Sequence, residues 1–178
     1  MPRSRSHPSL AALPAFDPES GDLNAVIEAF RGSRNKFKYD ARHGIFILDG
    51  VLTAGASFPF DFGFVPSTQG EDGDPIDVLL LMDEPAFVGA VVPSRLIGAI
   101  EAEQDNGNEG VVRNDRLIAV ARKSHQYADA KSLDDLPSNF VLEIEHFFVS
   151  YNEIKGRRFT PIGRVGPRRA RTLVDDAM

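Results

Sequence analysis

The stretch Glu71-Asp72-Gly73-Asp74-Pro75-Ile76-Asp77-Val78-Leu79-Leu80-Leu81 sets a group of acids directly against an apolar run. Asp72, Asp74 and Asp77 fall within six residues, and carboxylates held so close repel one another unless cations neutralise them. Gly73 permits a tight backbone course, Pro75 stiffens it, and Asp77 opens the β run. The pattern predicts an acidic loop on the rim of a sheet that can hold Mg2+, an ion that takes oxygen ligands and keeps several waters. One carboxylate then remains to take a proton from water. A calcium loop of the helix-loop-helix kind is excluded, because the acids run into a strand and no glutamate stands at the twelfth loop position. A generic Asp-x-Asp is more often a solvated turn; here the third acid and the strand behind it favour a metal site.

Outward from this loop, short apolar runs at 25–30, 36–40, 45–48 and 58–65 precede it, and runs at 78–81, 91–103 and 117–121 follow. Turn formers separate them, among them Gly32-Ser33, Arg42-His43-Gly44 and the polar loop from Asp105 to Gly110. Strand-sized runs at this spacing predict hairpins. From Phe140 the period changes: Phe140, Val141, Ile144, Phe147, Phe148 and Tyr151 form one stripe of a helix, with Ser138 or Asn139 as N-cap and Gly156 at the exit. A second short helix is expected over 167–176, opened by Pro167. The expected fold class is mainly β with flanking helices (α+β): a small closed Greek-key β-barrel of the oligonucleotide-binding (OB) type with one or two C-terminal helices. Residues 1–21, with Pro2, Pro8, Pro14 and Pro18, read as a flexible N-terminal arm, and 22–178 as a single domain.

Composition narrows the chemistry. A chain of 178 residues that is 42% hydrophobic suits one core. It has no cysteine, which excludes disulfides, thiolate nucleophiles and Cys-zinc sites. Its four histidines, His7, His43, His125 and His146, are scattered, so any metal is expected on oxygen ligands. A net charge of -6 speaks against nucleic-acid binding, which needs clustered Lys and Arg. No run approaches the roughly 20 apolar residues that cross a bilayer, and the N-terminus lacks the apolar core of a secretory signal. The expected location is the cytoplasm, without membrane contact.

Asp72-Gly73-Asp74-Pro75-x-Asp77-Val78-Leu79 resembles the signature of the family I soluble inorganic pyrophosphatases. The resemblance extends through Val26-Ile27-Glu28, Asn35-Lys36-Phe37, the run from Phe58 to Phe64, and His146-Phe147-Phe148 to Tyr151, covering roughly 23–155. It implies hydrolysis of pyrophosphate to two phosphates by metal-activated water, with several Mg2+ ions and no covalent intermediate. Carried over residue by residue, it implies that Asp74 is the general base and that Asp72 and Asp77 ligate metal. Glu28 then serves the metal network, Lys36 contacts substrate phosphate, and Tyr151 hydrogen-bonds phosphate. A homo-oligomer is implied as well.

The chain departs from the family pattern at several places. Lys38 stands where an acid is usual, Gly50 where an arginine is, Phe62 where a tyrosine is, and Asn152 where a lysine is. In the hairpin from Ile100 to Val120, a direct count puts Gln104 and Asn114 at two acids and Arg116 at a lysine. Glu103 and Asp115 stand one residue away, where a bulge could bring them in as metal ligands. Arg116 keeps the charge and is expected to bind phosphate. Lys38, Arg113, Arg157 and Arg158 are candidates to compensate for the missing contacts. His146 reads as a surface residue, and the 58–64 run as packing.

Two rival readings remain. A non-catalytic relative that binds metal or phosphate is one, favoured by the altered contacts and opposed by the three retained aspartates. An oligonucleotide-binding barrel without enzymatic role is the other. It requires exposed aromatics among basic residues, whereas the aromatics here alternate as core residues do.

Overall fold

A computed structural model describes residues 9–178, and in it the acidic loop runs into a buried strand, β5 (Asp77–Leu81). Val78 and Leu80 pack into one hydrophobic core, Leu79 and Leu81 into another. A strand covered on both faces needs a continuous apolar run rather than alternation, which is why 78–81 carries no polar residue. β8 (Arg116–Ala121) lies parallel to β5 with Arg116 opposite Asp77. It divides its side chains the same way, Leu117 and Ala119 to one core and Ile118 and Val120 to the other.

Three further strands, β1 (Leu23–Ala29), β4 (Asp61–Phe64) and β6 (Val91–Asp105), extend the pairing to the order β1-β4-β5-β8-β6. β1 pairs antiparallel with both β4 and β6. Two strands were not expected: β7 (Val111–Arg113) and β9 (Arg158–Val165), both on the C-terminal half of β6. The first is only three residues long, and the second contains Pro161 and Gly163, which weaken a strand signal. β2 (Asn35–Asp40) and β3 (Ile45–Val51) form a separate hairpin. With two α-helices the chain is mainly β with flanking helices, as expected.

β4 begins at Asp61, later than the expected run. Phe58 nonetheless stacks on Phe62 with centroids 5.7 Å apart, and both are buried, so the segment serves packing. Gly63 lies where β4 crosses β1. A Cβ there would stand 1.8 Å from the Val26 carbonyl oxygen, a backbone atom with nowhere to go. Gly63→Ala is expected to lower stability by about 2–3 kcal/mol; an unchanged urea midpoint would show that β1 and β4 approach less closely.

The first helix, α1 (Ser138–Ile154), buries Val141, Ile144, Phe148 and Tyr151, the stripe read from the sequence. Its N-cap is Pro137 rather than Ser138 or Asn139. Gly156, at φ +72°, turns the chain out of the helix, and β9 follows. The second helix, α2 (Pro167–Asp176), opens with proline in its first turn and buries Ala170 and Val174.

The first eight residues of the expected N-terminal arm, including His7, lie outside the described residues. The rest of it rests on the domain. Ala15 is buried, Asn24 Nδ2 donates to the Pro14 carbonyl at 2.9 Å, and the Arg171 guanidinium lies 3.5 Å over the Phe16 ring. Among the described residues no helix is long and apolar enough to cross a membrane.

Candidate active site

A cleft of about 290 Å3 opens beside the start of β5, lined by Glu28, Lys36, Lys38, Asp49, Phe64, Asp74, Pro75, Asp77, Lys155 and Arg157. Five separate segments supply its charged groups, β3 among them through Asp49. Glu28 comes from β1, where buried neighbours on both sides leave its carboxylate little water. Lys36 and Lys38 come from β2, two residues apart and so on one face. Asp74 and Asp77 come from the acidic loop, and Lys155 and Arg157 flank the turn at Gly156.

Backbone hydrogen bonds hold the acidic loop tightly. The Gly70 N–H donates to the Asp74 carbonyl at 2.8 Å, Gly73 takes φ +85°, and Asp72 Oδ1 accepts the Asp74 N–H at 3.1 Å. Ile76 N–H donates to Thr68 Oγ1, and Gln69 N–H to the Ala177 carbonyl at the end of α2. The acids therefore sit on a braced turn. Burial, with repulsion from Asp77 and Asp74, raises the Asp72 carboxyl above its usual range, so the three charges do sense one another.

Three of the four acids of the cleft have a side-chain cation beside them. Lys38 Nζ donates to Asp74 Oδ1 at 2.7 Å, and this pair is about half exposed. Arg116 Nη1 reaches Asp77 Oδ2 at 2.6 Å from a buried position. Lys36 Nζ stands 4.0 Å from Glu28 Oε2. Burial opposes the charge on Lys36, yet the nearby anions, Asp77 foremost, hold its pKa above the usual lysine value. The hydrogen bond to Asp74 raises Lys38 likewise.

Glu28 behaves differently. Burial pushes its carboxyl up to about 7, with the Lys36 charge only partly opposing. A carboxyl raised from 4.5 to about 7 on folding contributes stability below 4.5 that is lost as pH rises through 7. Glu28→Gln removes that titration. Its stability is expected to fall less steeply than wild type between pH 4.5 and 7, measured by urea unfolding in metal-free buffer; parallel curves would show that Glu28 titrates normally.

Some expected site residues stand elsewhere. Arg116 does not line the cleft. Its guanidinium lies beneath Asp77, donates to the Asn114 side chain, and packs 5.1 Å and 5.2 Å from the Phe148 and Phe159 ring centroids. It is a buried counter-ion, not an exposed phosphate contact. Glu103 is exposed on β6, and its strand neighbour Gln104 takes the buried side. No bulge in β6 turns Glu103 inward: the irregularity at Glu101/Ala102 adds its extra residue to β9.

Asp115 Oδ1 accepts the Ala102 N–H and an Arg113 guanidinium N–H, both at 2.9 Å. It faces a second cavity of about 370 Å3, shared with Asp72, Arg113, Arg169 and the end of α2. Tyr151 is buried against Phe58 and Phe147, and its hydroxyl bonds Lys155 Nζ at 2.6 Å. Of the four compensating cations, Lys38 and Arg157 line the cleft, Arg113 lines the second cavity, and Arg158 lines neither. His146 is exposed, as expected.

The replaced positions have structural work. Gln104 Oε1 accepts from Asn114 Nδ2 at 2.9 Å, Asn114 accepts from Arg116, and Arg116 ends on Asp77. Asn152 turns inward, donating to the Phe148 carbonyl at 2.8 Å. Phe62 is core, with Lys36 Nζ 5.3 Å from its ring centroid. Sequence reasoning missed Asp49 and Lys155 as cleft residues. Lys155 follows Tyr151 by one helical turn, a spacing that would have placed it on the same face.

The donor set fits a metal in one way. Among the described residues no three His, Asp or Glu side chains converge as a metal site, so Asp72, Asp77, Asp115, Glu28 and Glu103 do not form one cluster. The several ions implied by the family resemblance would need Lys38 and Arg116 to release their acids. Asp72 and Asp77, close enough to repel, fit Mg2+ held by one or two carboxylates together with substrate oxygens.

The family model described as inorganic pyrophosphatase matches residues 25–178. An inorganic pyrophosphatase of Nostoc sp. is 37% identical over 169 residues, covering 95% of this chain and 96% of the relative. One from Geobacillus stearothermophilus is 36% identical over 160 residues, with 87% and 93% covered. Among solved structures, the inorganic pyrophosphatase of Thermus thermophilus superposes with a TM-score of 0.85 at 33% identity, covering 96% of this chain and 97% of that one. That of Helicobacter pylori gives 0.80 at 31%, with 88% and 91% covered. On these matches, the chain belongs to the family I soluble inorganic pyrophosphatases.

Proposed function

We propose that the chain hydrolyses inorganic pyrophosphate to two phosphates in the cleft between β2, the acidic loop and the end of α1. One observation carries this reading: Asp74 faces the same cleft as Lys36, Lys38, Lys155 and Arg157, so a base and an anion-binding lining share one volume. The cations draw the phosphoryl oxygens inward and stabilise the leaving phosphate, whose charge grows as the bridging bond breaks. Asp74 accepts the proton of the attacking water. At rest Lys38 occupies Asp74 Oδ1; a phosphoryl oxygen competing for Lys38 frees that oxygen for the water proton. Tyr151 orients Lys155 through its hydroxyl and ring. Asp72 and Asp77 would hold Mg2+ together with the substrate's own oxygens, and the ion would supply positive charge that draws electrons from the phosphoryl groups.

The finer expectations are proposals of the same kind. The metal would be Mg2+. The order β1-β4-β5-β8-β6, with β6 paired back to β1, supports a small closed Greek-key barrel of the OB type. A cytoplasmic homo-oligomer is proposed from the family resemblance.

The reading is tested by phosphate release from pyrophosphate with and without Mg2+, in wild type and Lys36→Ala. Losing a charge-assisted contact worth about 1.5–3 kcal/mol is expected to lower kcat/KM by tenfold or more. No phosphate release above background by wild type with Mg2+ would overturn it in favour of a non-catalytic phosphate-binding relative.

A further inference from the structure

The cleft carries its own counter-charge. Lys36, Lys38, Lys155 and Arg157 line it and Arg116 backs Asp77, so five cations meet the four acids Glu28, Asp49, Asp74 and Asp77. The cations are also placed differently. Arg116 is fixed under Asp77 by buried hydrogen bonds and two aromatic rings, whereas Lys38 is half exposed and bound to one acid. Lys38 is thus free to exchange Asp74 for another oxygen anion at little cost, because both partners lie in partial contact with water.

We propose that this cleft binds a diphosphate anion without any divalent metal ion, with Lys38 leaving Asp74 to grip a phosphoryl oxygen and Lys36, Lys155 and Arg157 completing the clamp. The inference rests on the reading of this cleft as the pyrophosphate site, and it assigns to side chains a neutralising role that resident ions could otherwise fill. An anion with two phosphoryl groups is favoured over a single phosphate, since the lysines of β2 and the pair at the α1 exit approach the cleft from different elements.

The test is calorimetric titration of methylenediphosphonate, a diphosphate that cannot be hydrolysed, into metal-stripped full-length protein in buffer passed over chelating resin. Wild type is expected to bind, Lys38→Glu and Lys38→Ala at least tenfold more weakly, and inorganic phosphate more weakly than the diphosphonate. Lys38 is exposed enough for both variants to fold, which far-ultraviolet circular dichroism checks. Binding that begins only when Mg2+ is restored, or Lys38→Glu binding as tightly as wild type, would overturn the inference. Phosphate release with Mg2+ is read separately. Hydrolysis without metal-free binding sinks this inference alone, and metal-free binding without hydrolysis sinks the hydrolytic reading alone.

Discussion

Asp74→Asn is expected to lower magnesium-supported turnover of pyrophosphate about a hundredfold or more, the usual cost of removing a general base, while leaving the fold intact. Asp74 is well exposed and makes its one side-chain ion pair with Lys38, so the substitution removes little that holds the structure together. Its backbone contacts, the carbonyl accepting from Gly70 and the N–H donating to Asp72, do not depend on the carboxylate. The effect should fall on kcat. KM should stay level or drop, because Lys38 loses its resting partner and becomes more available to substrate. Steady-state phosphate release across a range of pyrophosphate concentrations separates the two. Loss in KM alone would make Asp74 a binding residue and leave the base to be found elsewhere.

Arg116→Met should act in the opposite manner, on stability first. The guanidinium is buried, pairs with Asp77 at 2.6 Å and packs against Phe148 and Phe159. Methionine keeps much of the packing but strands a carboxylate and leaves the Asn114 side chain without its donor. Breaking a largely buried pair from one side typically costs about 3–5 kcal/mol. Urea unfolding of Arg116→Met is expected to show a loss near that size. The double variant Asp77→Asn/Arg116→Met should recover part of it, since the stranded carboxylate is gone while Lys36 keeps Glu28 as a neighbour. A loss under about 1 kcal/mol would mean the pair is solvated, and Arg116 would return to consideration as a phosphate contact.

These two residues mark what the sequence could and could not convey. The acidic loop was legible because its chemistry is local: three aspartates, a glycine and a proline in one turn can be read without knowing what lies opposite. α1 and α2 were legible for the same reason, their stripes and proline start being properties of one segment. Arg116 was not, because its role depends on the parallel pairing of β5 with β8, which puts Asp77 across from it and two aromatic rings over it. Charge conservation at that position pointed to phosphate; topology turned the same charge inward. Glu103 and Gln104 show the same limit on a smaller scale, since the side each takes depends on the β6 alternation, which an extra residue between Leu96 and Gly98 resets far from either of them. β9 was hidden by Pro161 and Gly163, residues that an outer strand tolerates on β6. Asp49 reached the cleft through the β2–β3 hairpin register, which a bulge at Lys36/Phe37 shifts.

The departures at Lys38, Gln104, Asn114 and Arg116 make one physical sense together. Amides and a guanidinium form a connected network that ends on Asp77, and an ammonium stands on Asp74. Such a site carries in its own side chains part of the positive charge that a cluster of carboxylates otherwise draws from bound ions. Its retained aspartates then need not remain open at rest.

The measurement that tests this account most directly is a crystal structure of the chain with methylenediphosphonate and Mg2+. The diphosphonate is expected in the cleft lined by Lys36, Lys155 and Arg157, with Lys38 drawn from Asp74 to a phosphonate oxygen and Asp74 turned toward the phosphorus. A diphosphonate seated instead in the cavity behind Asp72 and Asp115, with Lys38 still on Asp74, would contradict it.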